Sequence, residues 1–540
     1  MCEGGILGDI KNIPEKSSNE TLIDYAESLT DWYIERTPPG YRKKRGQFFT
    51  PGPISNFMVK QYEGIDKKNE IWILDPGAGV GIFESTFCEH LLSLGRKSKI
   101  LFTLYENDEN LVLLLRKNMR TCKRVMANND FNISYRIINE DFILSNALKN
   151  KIKENKCISK KYYDLVLSNP PYYKINRDDP RIAEMKNLSR GQPNIYSLFM
   201  TLSAILLKDR GQMVIITPRS YCSGLFFKKF RKWFFNIVKP LRIHIFNSRN
   251  EVFKKYNVLQ ENVILTAMKT SGIPKEVLVS ISNGRVNENE ELKVITTTYD
   301  KIIIEKGDDI IMRIPTSELD ELVAMQIDRF SNNMGSFGLK VSTGRVVPFR
   351  AKDYLLNDVN MGHNYVPLIW MQNIVNGKVT WPNQMNNKPI AIESKEGSNK
   401  LLVPKGNYVL IKRISAKEGK QRVNAGVLLE KSLSSNHIGI ENHVNYIHKP
   451  NSKLTEDEAY GITALLNSRL YNRYFQMENG STQVNATEII NIPLPSLEKI
   501  RKIGSLVRKE EENDEIRNEK IIARELNIDG KIIMDLIAKK

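Results

Sequence analysis

From Ile71 the chain alternates two kinds of apolar pattern. IWILD, ILFTLYE, ISYRII, YDLVLS and GQMVIITP are short runs rich in β-branched and aromatic residues, of the length expected for buried strands. Between them FESTFCEHLLSL, NLVLLLRKNMRTC and IYSLFMTLSAILL carry their apolar residues at helical spacing. A basic amphipathic stretch, FFKKFRKWFFNIV, comes next, and LRIHIF and VLQENVILTAM predict two further strands. This alternation predicts an α/β fold: a mostly parallel sheet covered on both faces by helices, with ligands at the carboxyl ends of its strands. Ahead of it, TLIDYAESLTDWYIER predicts a helix stopped by Pro38, Pro39 and Gly40, followed by the basic YRKKR and by GQFFTPGPISNFMV. After about residue 270 the alternation fades into shorter elements with many Asn and Gly, and from Ser496 a charge-rich helical tail is expected. The expected boundaries are a helical segment 1–45, an α/β domain 46–270, a connector 271–325, a mixed α+β domain 326–495 and a tail 496–540.

Composition adds one strong constraint. Hydrophobic residues make up 41% and charged residues 26%, as in an ordinary globular protein, and no apolar run approaches a membrane span. The five cysteines show no paired or zinc-ligand spacing, which leads us to expect a reduced, cytoplasmic protein without a metal. The 80 Lys and Arg outnumber the 62 Asp and Glu, for a formal net charge of +18. Such an excess favours a polyanionic partner, because cations that neutralise phosphates release condensed counterions.

The candidate chemistry sits at the strand ends. After the first strand, LDPGAGVGIF places Asp75, Pro76, Gly77, Gly79 and Gly81 where a strand passes into a helix, so that the backbone can approach a nucleotide closely. Nicotinamide enzymes use similar loops, and a glycine loop alone does not choose between ligands. After the second strand, Glu106 is spaced to accept hydrogen bonds from ribose hydroxyls. Asp141 and Phe142 follow the third, suited to an adenine amine and an adenine face. After the fourth, SNPPY offers the Asn169 side-chain oxygen and the Pro170 carbonyl as acceptors, and Pro170 and Pro171 fix the backbone direction. Two acceptors can hold both hydrogens of a planar amine and localise its lone pair for attack on a methyl group, while Tyr172 supplies a flat surface for the ring.

In these motifs the chain resembles an S-adenosylmethionine-dependent DNA adenine-N6 methyltransferase of the gamma class, as found in type II restriction–modification systems. GQFFTP matches that family's G-x-x-x-T-P segment at Gly46, Thr50 and Pro51, which implies that Thr50 holds the methionine end of the cofactor. DPGAGVG matches the cofactor loop, Glu106 the ribose acid, Asp141 and Phe142 the adenine contacts, and NPPY the catalytic motif. EVF at Glu251, Val252 and Phe253 is similar to a downstream motif whose aromatic stacks on the extruded adenine. The resemblance implies a Rossmann-like methyltransferase domain followed by a target-recognition domain, with double-stranded DNA as substrate. It also implies functional pairing with a separate restriction endonuclease. No cysteine follows a proline, so the Pro-Cys nucleophile of cytosine-C5 enzymes is absent.

In the second half, Arg345, Arg350, Lys412, Arg413, Lys417, Lys420 and Arg422 are expected on phosphates, on solvated surface or, for a minority, on guanine edges. Four rivals share part of this reading: a cytosine-N4 enzyme, an RNA amine methyltransferase, a protein-glutamine methyltransferase, and a DNA specificity protein that has lost catalysis.

Overall fold

The computed structural model describes residues 12–149, 162–185, 194–246, 261–282, 292–359, 364–382, 388–415, 421–479, 483–509 and 514–538. The chain folds into two compact units, Met1–Thr316 and Ser317–Lys540. In the first, helix α1 (Leu22–Arg36) opens with a capping box between Thr21 and Asp24. Its stop before Pro38 follows from the missing proline N–H and the extended preference of the residue ahead of a proline. Two short helices, α2 (Pro39–Arg45) and α3 (Gly52–Val59), lead to the sheet.

The strands are β1 (Glu70–Asp75), β2 (Lys99–Tyr105), β3 (Ile133–Ile138), β4 (Tyr163–Ser168), β5 (Leu207–Pro218), β6 (Val238–Phe246), β7 (Asn262–Lys269), β8 (Val277–Ser282) and β9 (Lys293–Thr297). Helices α4 (Ile82–Leu94), α5 (Glu109–Asn128), α6 (Phe142–Lys149), α7 (Pro180–Glu184), α8 (Ile195–Leu206) and α9 (Lys228–Ile237) connect them. The strand order is β3-β2-β1-β4-β5-β7-β6-β8-β9. The first five strands pair in parallel, and β7 runs antiparallel to both β5 and β6. The order reverses between β1 and β4, which is where an open α/β sheet forms its ligand crevice. Every residue of β4 is buried, so its unbroken YDLVLS run reads as a central strand. Helix α8 is apolar on all sides for the same reason, with only Ile205 incompletely buried.

Two sequence expectations change, and one basic helix gains a buried cation. The segment 271–325, expected as a connector, contributes β8 and β9 to the sheet; VLVSIS alternates buried with half-buried positions, a strand pattern too short to stand out. Basic helix α9 carries one of its cations inside the fold. Arg231 is fully buried, its guanidinium pairing with both carboxylate oxygens of Asp309 and bonding the Tyr221 and Gly224 carbonyls. The 496–540 stretch, expected as a charged tail, packs helices Leu497–Arg508, Glu515–Leu526 and Gly530–Ala538 into the second unit's core through Ile500, Ile503, Ile522, Leu526 and Ile533. A Cβ at Gly504 would lie 1.8 Å from the Asp457 carbonyl, so that glycine lets two helices touch at their backbones.

The rest of the second unit is mixed α+β. A six-stranded sheet centres on Tyr408–Lys412, which pairs antiparallel with Ala425–Leu428 and Val444–His448, and a five-stranded sheet contains Tyr365–Ile369 and Ala391–Glu393. Among the described residues no helix is long and apolar enough to cross a membrane.

At the amino end of β4, Asp164 is buried yet satisfied, accepting from Lys68, Lys208 and the Trp72 N–H. Burial raises its pKa, but Lys208, Lys68 and the Trp72 N–H together hold it below the usual carboxylate value. A carboxyl whose folded pKa is depressed adds stability above its unfolded pKa and loses it as pH falls through the folded value. Asp164→Asn is expected to cost about 1–3 kcal/mol in urea unfolding at pH 7, toward the lower end because both lysines are partly exposed and screened. The gap between variant and wild type should close below about pH 4; a constant gap would argue against the charged node.

Candidate active site

The glycine loop between β1 and α4 is tied down by carboxylates. Asp75, with no exposed surface, accepts the Gly77 N–H through Oδ1 at 2.9 Å. Glu106, at the end of β2, accepts the Gly79 N–H through Oε2 and the Asp108 N–H through Oε1, each at 2.9 Å. One acid therefore fixes the glycine loop from below and another from the side. Burial is the main cause that pushes the Glu106 carboxyl up to about 7. Burial and the neighbouring Glu84 raise Asp75 well above its ordinary value, and burial pushes Glu84 up to about 8. Asp75 Oδ2 and both Glu84 carboxylate oxygens are buried without a hydrogen-bond partner among the described residues.

Beyond β3, Asp141 caps α6 by accepting the Leu144 N–H at 2.9 Å, and its second oxygen lies 3.4 Å from Arg181 Nη1. Phe142 is buried, edge-on to Tyr105 at 5.2 Å and tilted against Phe199 at 5.3 Å. These residues line a cavity of about 290 Å³ together with Thr50, Pro76, Gly77, Gly79, Glu106, Asn169 and Pro171. Asp75 lies beneath the loop, outside the cavity lining, where it holds the Gly77 N–H.

The chain after β4 is locked to the segment after α2. Asn169 Nδ2 donates to the Phe48 carbonyl at 2.6 Å and to the Thr50 hydroxyl at 3.0 Å. A carbonyl only accepts, so the amide nitrogen must face it, and Oδ1 is turned the other way. Oδ1 lies 2.5 Å from the Tyr172 hydroxyl, which also lies 2.9 Å from the Ile216 carbonyl. The Tyr172 N–H donates to the Gly46 carbonyl at 3.4 Å. Gly46 has φ of 65°, and a Cβ there would stand 2.7 Å from Tyr172 N, so both its conformation and its surroundings require glycine.

Two placements differ from the sequence reading. The Tyr172 ring, expected as an open flat surface, is 7% exposed: Phe48 stacks on it at 5.7 Å and Tyr196 meets it edge-on at 6.2 Å. Pro170 is buried, and the cavity wall is formed by Pro171 and Tyr173 instead. Glu251, Val252 and Phe253 lie outside the described residues, as do Lys417 and Lys420.

Sequence reasoning missed two groups. Arg181 bonds Asp179 through Nε and Nη2 and the Tyr173 hydroxyl through Nη1, bracing the chain after the prolines against Asp141. The Asp-Pro-Arg helix start was visible, but its long-range contacts were not. Asp108 caps α5 through Oδ1, while its Oδ2 accepts from Tyr33, Tyr41 and Gln47 at 3.0–3.1 Å. Among the basic residues of the second unit, Arg422 is buried and bonds the Ser415 carbonyl. Arg345 and Arg413 reach the Leu402 and Asn442 carbonyls, and Arg350 stacks on the exposed Phe349.

A glycine loop and an Asn-Pro-Pro-Tyr turn thus flank one crevice of an open α/β sheet, and comparison with known proteins says to which class such a fold belongs here. Residues 86–253 match the Eco57I restriction-modification methylase family. The type II methyltransferase M.PstI of Providencia stuartii is 33% identical over 486 residues, covering 90% of this chain and 93% of that protein. M.BsuBI of Bacillus subtilis, also a type II methyltransferase, is 33% identical over 477 residues, 87% and 92% of the two chains. Among solved structures, a putative class I S-adenosylmethionine-dependent methyltransferase of Listeria monocytogenes is a distant likeness, with 17% identity and a TM-score of 0.38 over 49% of this chain and 74% of that one. The chain belongs to the type II DNA methyltransferases of restriction–modification systems.

The buried Glu84 gives a measurable pH signature. Its folded pKa lies above the ordinary value of 4.5, so the native state binds more protons than the unfolded chain between that value and about 8. Stability contributed by the protonated form is therefore lost as pH rises across that window. Glu84→Gln should flatten the fall in urea midpoint between pH 5 and pH 8; equal slopes in variant and wild type would contradict the assignment.

Proposed function

We propose that the protein transfers a methyl group from S-adenosylmethionine to the N6 amine of an adenine extruded from duplex DNA. In this reading the catalytic part comes first in the chain and the target-recognition part second, and the modification protects host DNA from a cognate restriction endonuclease. The observation that carries it is the Asn169 amide, whose nitrogen is committed to Phe48 and Thr50, so that Oδ1 faces the other way, with a second lone pair beyond the one that meets the Tyr172 hydroxyl, and whose side chain shares one cavity with Glu106, Asp141 and Phe142.

The cavity's chemistry fits the cofactor. Glu106 offers oxygens that can each accept a further hydrogen bond from ribose hydroxyls. Asp141 and Phe142 present an acceptor and an apolar ring for adenine, and Thr50 borders the remaining end. The bound cofactor supplies an activated methyl group, which leaves positioning and water exclusion to the protein. Asn169 Oδ1 and the Pro170 carbonyl accept the two amine hydrogens and turn the nitrogen lone pair toward the methyl carbon. Pro171 keeps the turn rigid. Tyr172 and Phe253 serve as the base's two faces; for Tyr172 this requires Phe48 to leave its stacked position. Extrusion costs a few kcal/mol, which stacking at about 1–3 kcal/mol per base partly offsets.

Asn169→Ala should lower the single-turnover rate of transfer from tritiated S-adenosylmethionine to plasmid DNA by about a hundredfold or more, with donor affinity by calorimetry changing far less. Mass analysis of nucleosides from wild-type reactions should find N6-methyladenine. Turnover close to wild type in the variant would remove Asn169 from the mechanism, and N4-methylcytosine as product would reassign the target base.

A further inference from the structure

We propose that the basic turn closing α2, carried by Lys43 and Lys44, grips a backbone phosphate of duplex DNA beside the catalytic loop. The proposal rests on the DNA methyltransferase reading above and names a contact within it. Arg42, Lys43, Lys44 and Arg45 fill the last turn of this seven-residue helix, with no acid in its first turn. Lys43 and Lys44 are exposed, and neither they nor Arg45 pairs with a carboxylate among the described residues. Cations at a helix carboxyl end do favour the helix dipole. Four in a row on so short a helix exceed that need, and Arg45 is additionally held over the Tyr41 ring at 4.5 Å.

What makes this turn more than a basic surface is how firmly it is fixed to the catalytic loop. The Gly46 N–H bonds the Lys43 carbonyl and the Gln47 N–H bonds the Arg42 carbonyl. The next contact is already the catalytic loop, because the Gly46 carbonyl takes the Tyr172 N–H. On the other flank, Tyr41 and Gln47 both donate to Asp108 Oδ2, two residues beyond Glu106. The turn is thus held at once to the end of β2 and to the chain after β4. Lys44 and Arg45 also border the cavity that contains Asn169. A nucleotide whose base enters that cavity brings its own phosphates to the rim, and paired cations are the chemistry that receives them.

The test uses the full chain and a Lys43→Ala/Lys44→Ala double variant, binding a fluorescent random-sequence 30-base-pair DNA duplex between 50 and 200 mM salt. Each lost phosphate contact lowers the slope of log K against log salt by about 0.9. We expect the slope to fall by about 0.9 and affinity to drop alike on duplexes of different sequence, with melting temperature and calorimetric affinity for S-adenosylmethionine unchanged. A charge-matched control, Lys123→Ala/Arg124→Ala on α5, should keep the wild-type slope. An unchanged slope in the Lys43/Lys44 variant overturns the proposal. So does a loss of donor affinity, which would assign the turn to the cofactor's carboxylate, and so does a loss confined to an RNA duplex of the same sequence. Failure of the wild type to methylate plasmid DNA would defeat the methyltransferase reading separately, without affecting the slope comparison.

Discussion

The hydrogen bonds that the Asn169 amide gives to the Phe48 carbonyl and the Thr50 hydroxyl decide which way the loop after β4 faces. A planar amide has one donating and one accepting end, so committing the nitrogen determines the oxygen. The same contacts bring a segment from far upstream across the crevice between β1 and β4 and make it a wall of the cavity. Gly46 permits the approach by having no Cβ, and the Asp108 carboxylate anchors the segment's other flank through Tyr33, Tyr41 and Gln47. Order around the proposed amine site therefore comes from a non-local contact between two short polar segments, laid over a rigid parallel sheet.

Beneath that contact the site carries an electrostatic load. Asp75 and Glu84 sit in the interior with Glu106 beside them at the cavity wall, and burial is the main cause that drives all three carboxyls upward. Few interiors hold three acids unless some are protonated or hydrogen-bonded. Glu106 accepts from two backbone N–H groups and Asp75 from one through Oδ1 alone, while Glu84 has no side-chain partner among the described residues. The glycine loop is thus shaped by acids that bind its N–H groups rather than by apolar packing alone. Such a loop is held firmly while its outer face stays open to a ligand.

Much of this was legible in the sequence wherever the signal is local. The five parallel strands follow from apolar runs separated by helix-periodic stretches, and Gly77, Gly79, Glu106, Asp141, Phe142 and Asn169 fall at strand ends because such sheets place their loops there. Contacts between distant segments left no such trace. Nothing in GQFFTP alone indicates that Phe48 covers the Tyr172 ring, or that Thr50 accepts from Asn169. Arg181 and Asp108 stand at helix starts, where the local sequence carries no sign of their long-range contacts. In the 496–540 region the high charge masked an apolar stripe of Ile500, Ile503, Ile522 and Leu526 that belongs to a core. Arg422 looked like a surface cation because its burial depends on Asn472, fifty residues further on, accepting its backbone N–H.

The Asn169 amide nitrogen holds the segment 46–50 against the chain after β4. Amide hydrogen exchange in Asn169→Asp tests it most directly, because the carboxylate keeps the size of the side chain but would set an acceptor against the Phe48 carbonyl. Much faster exchange is expected across residues 46–50, while the amides of β1 and β4 remain protected as in the wild type. Equal protection of residues 46–50 in variant and wild type would contradict it.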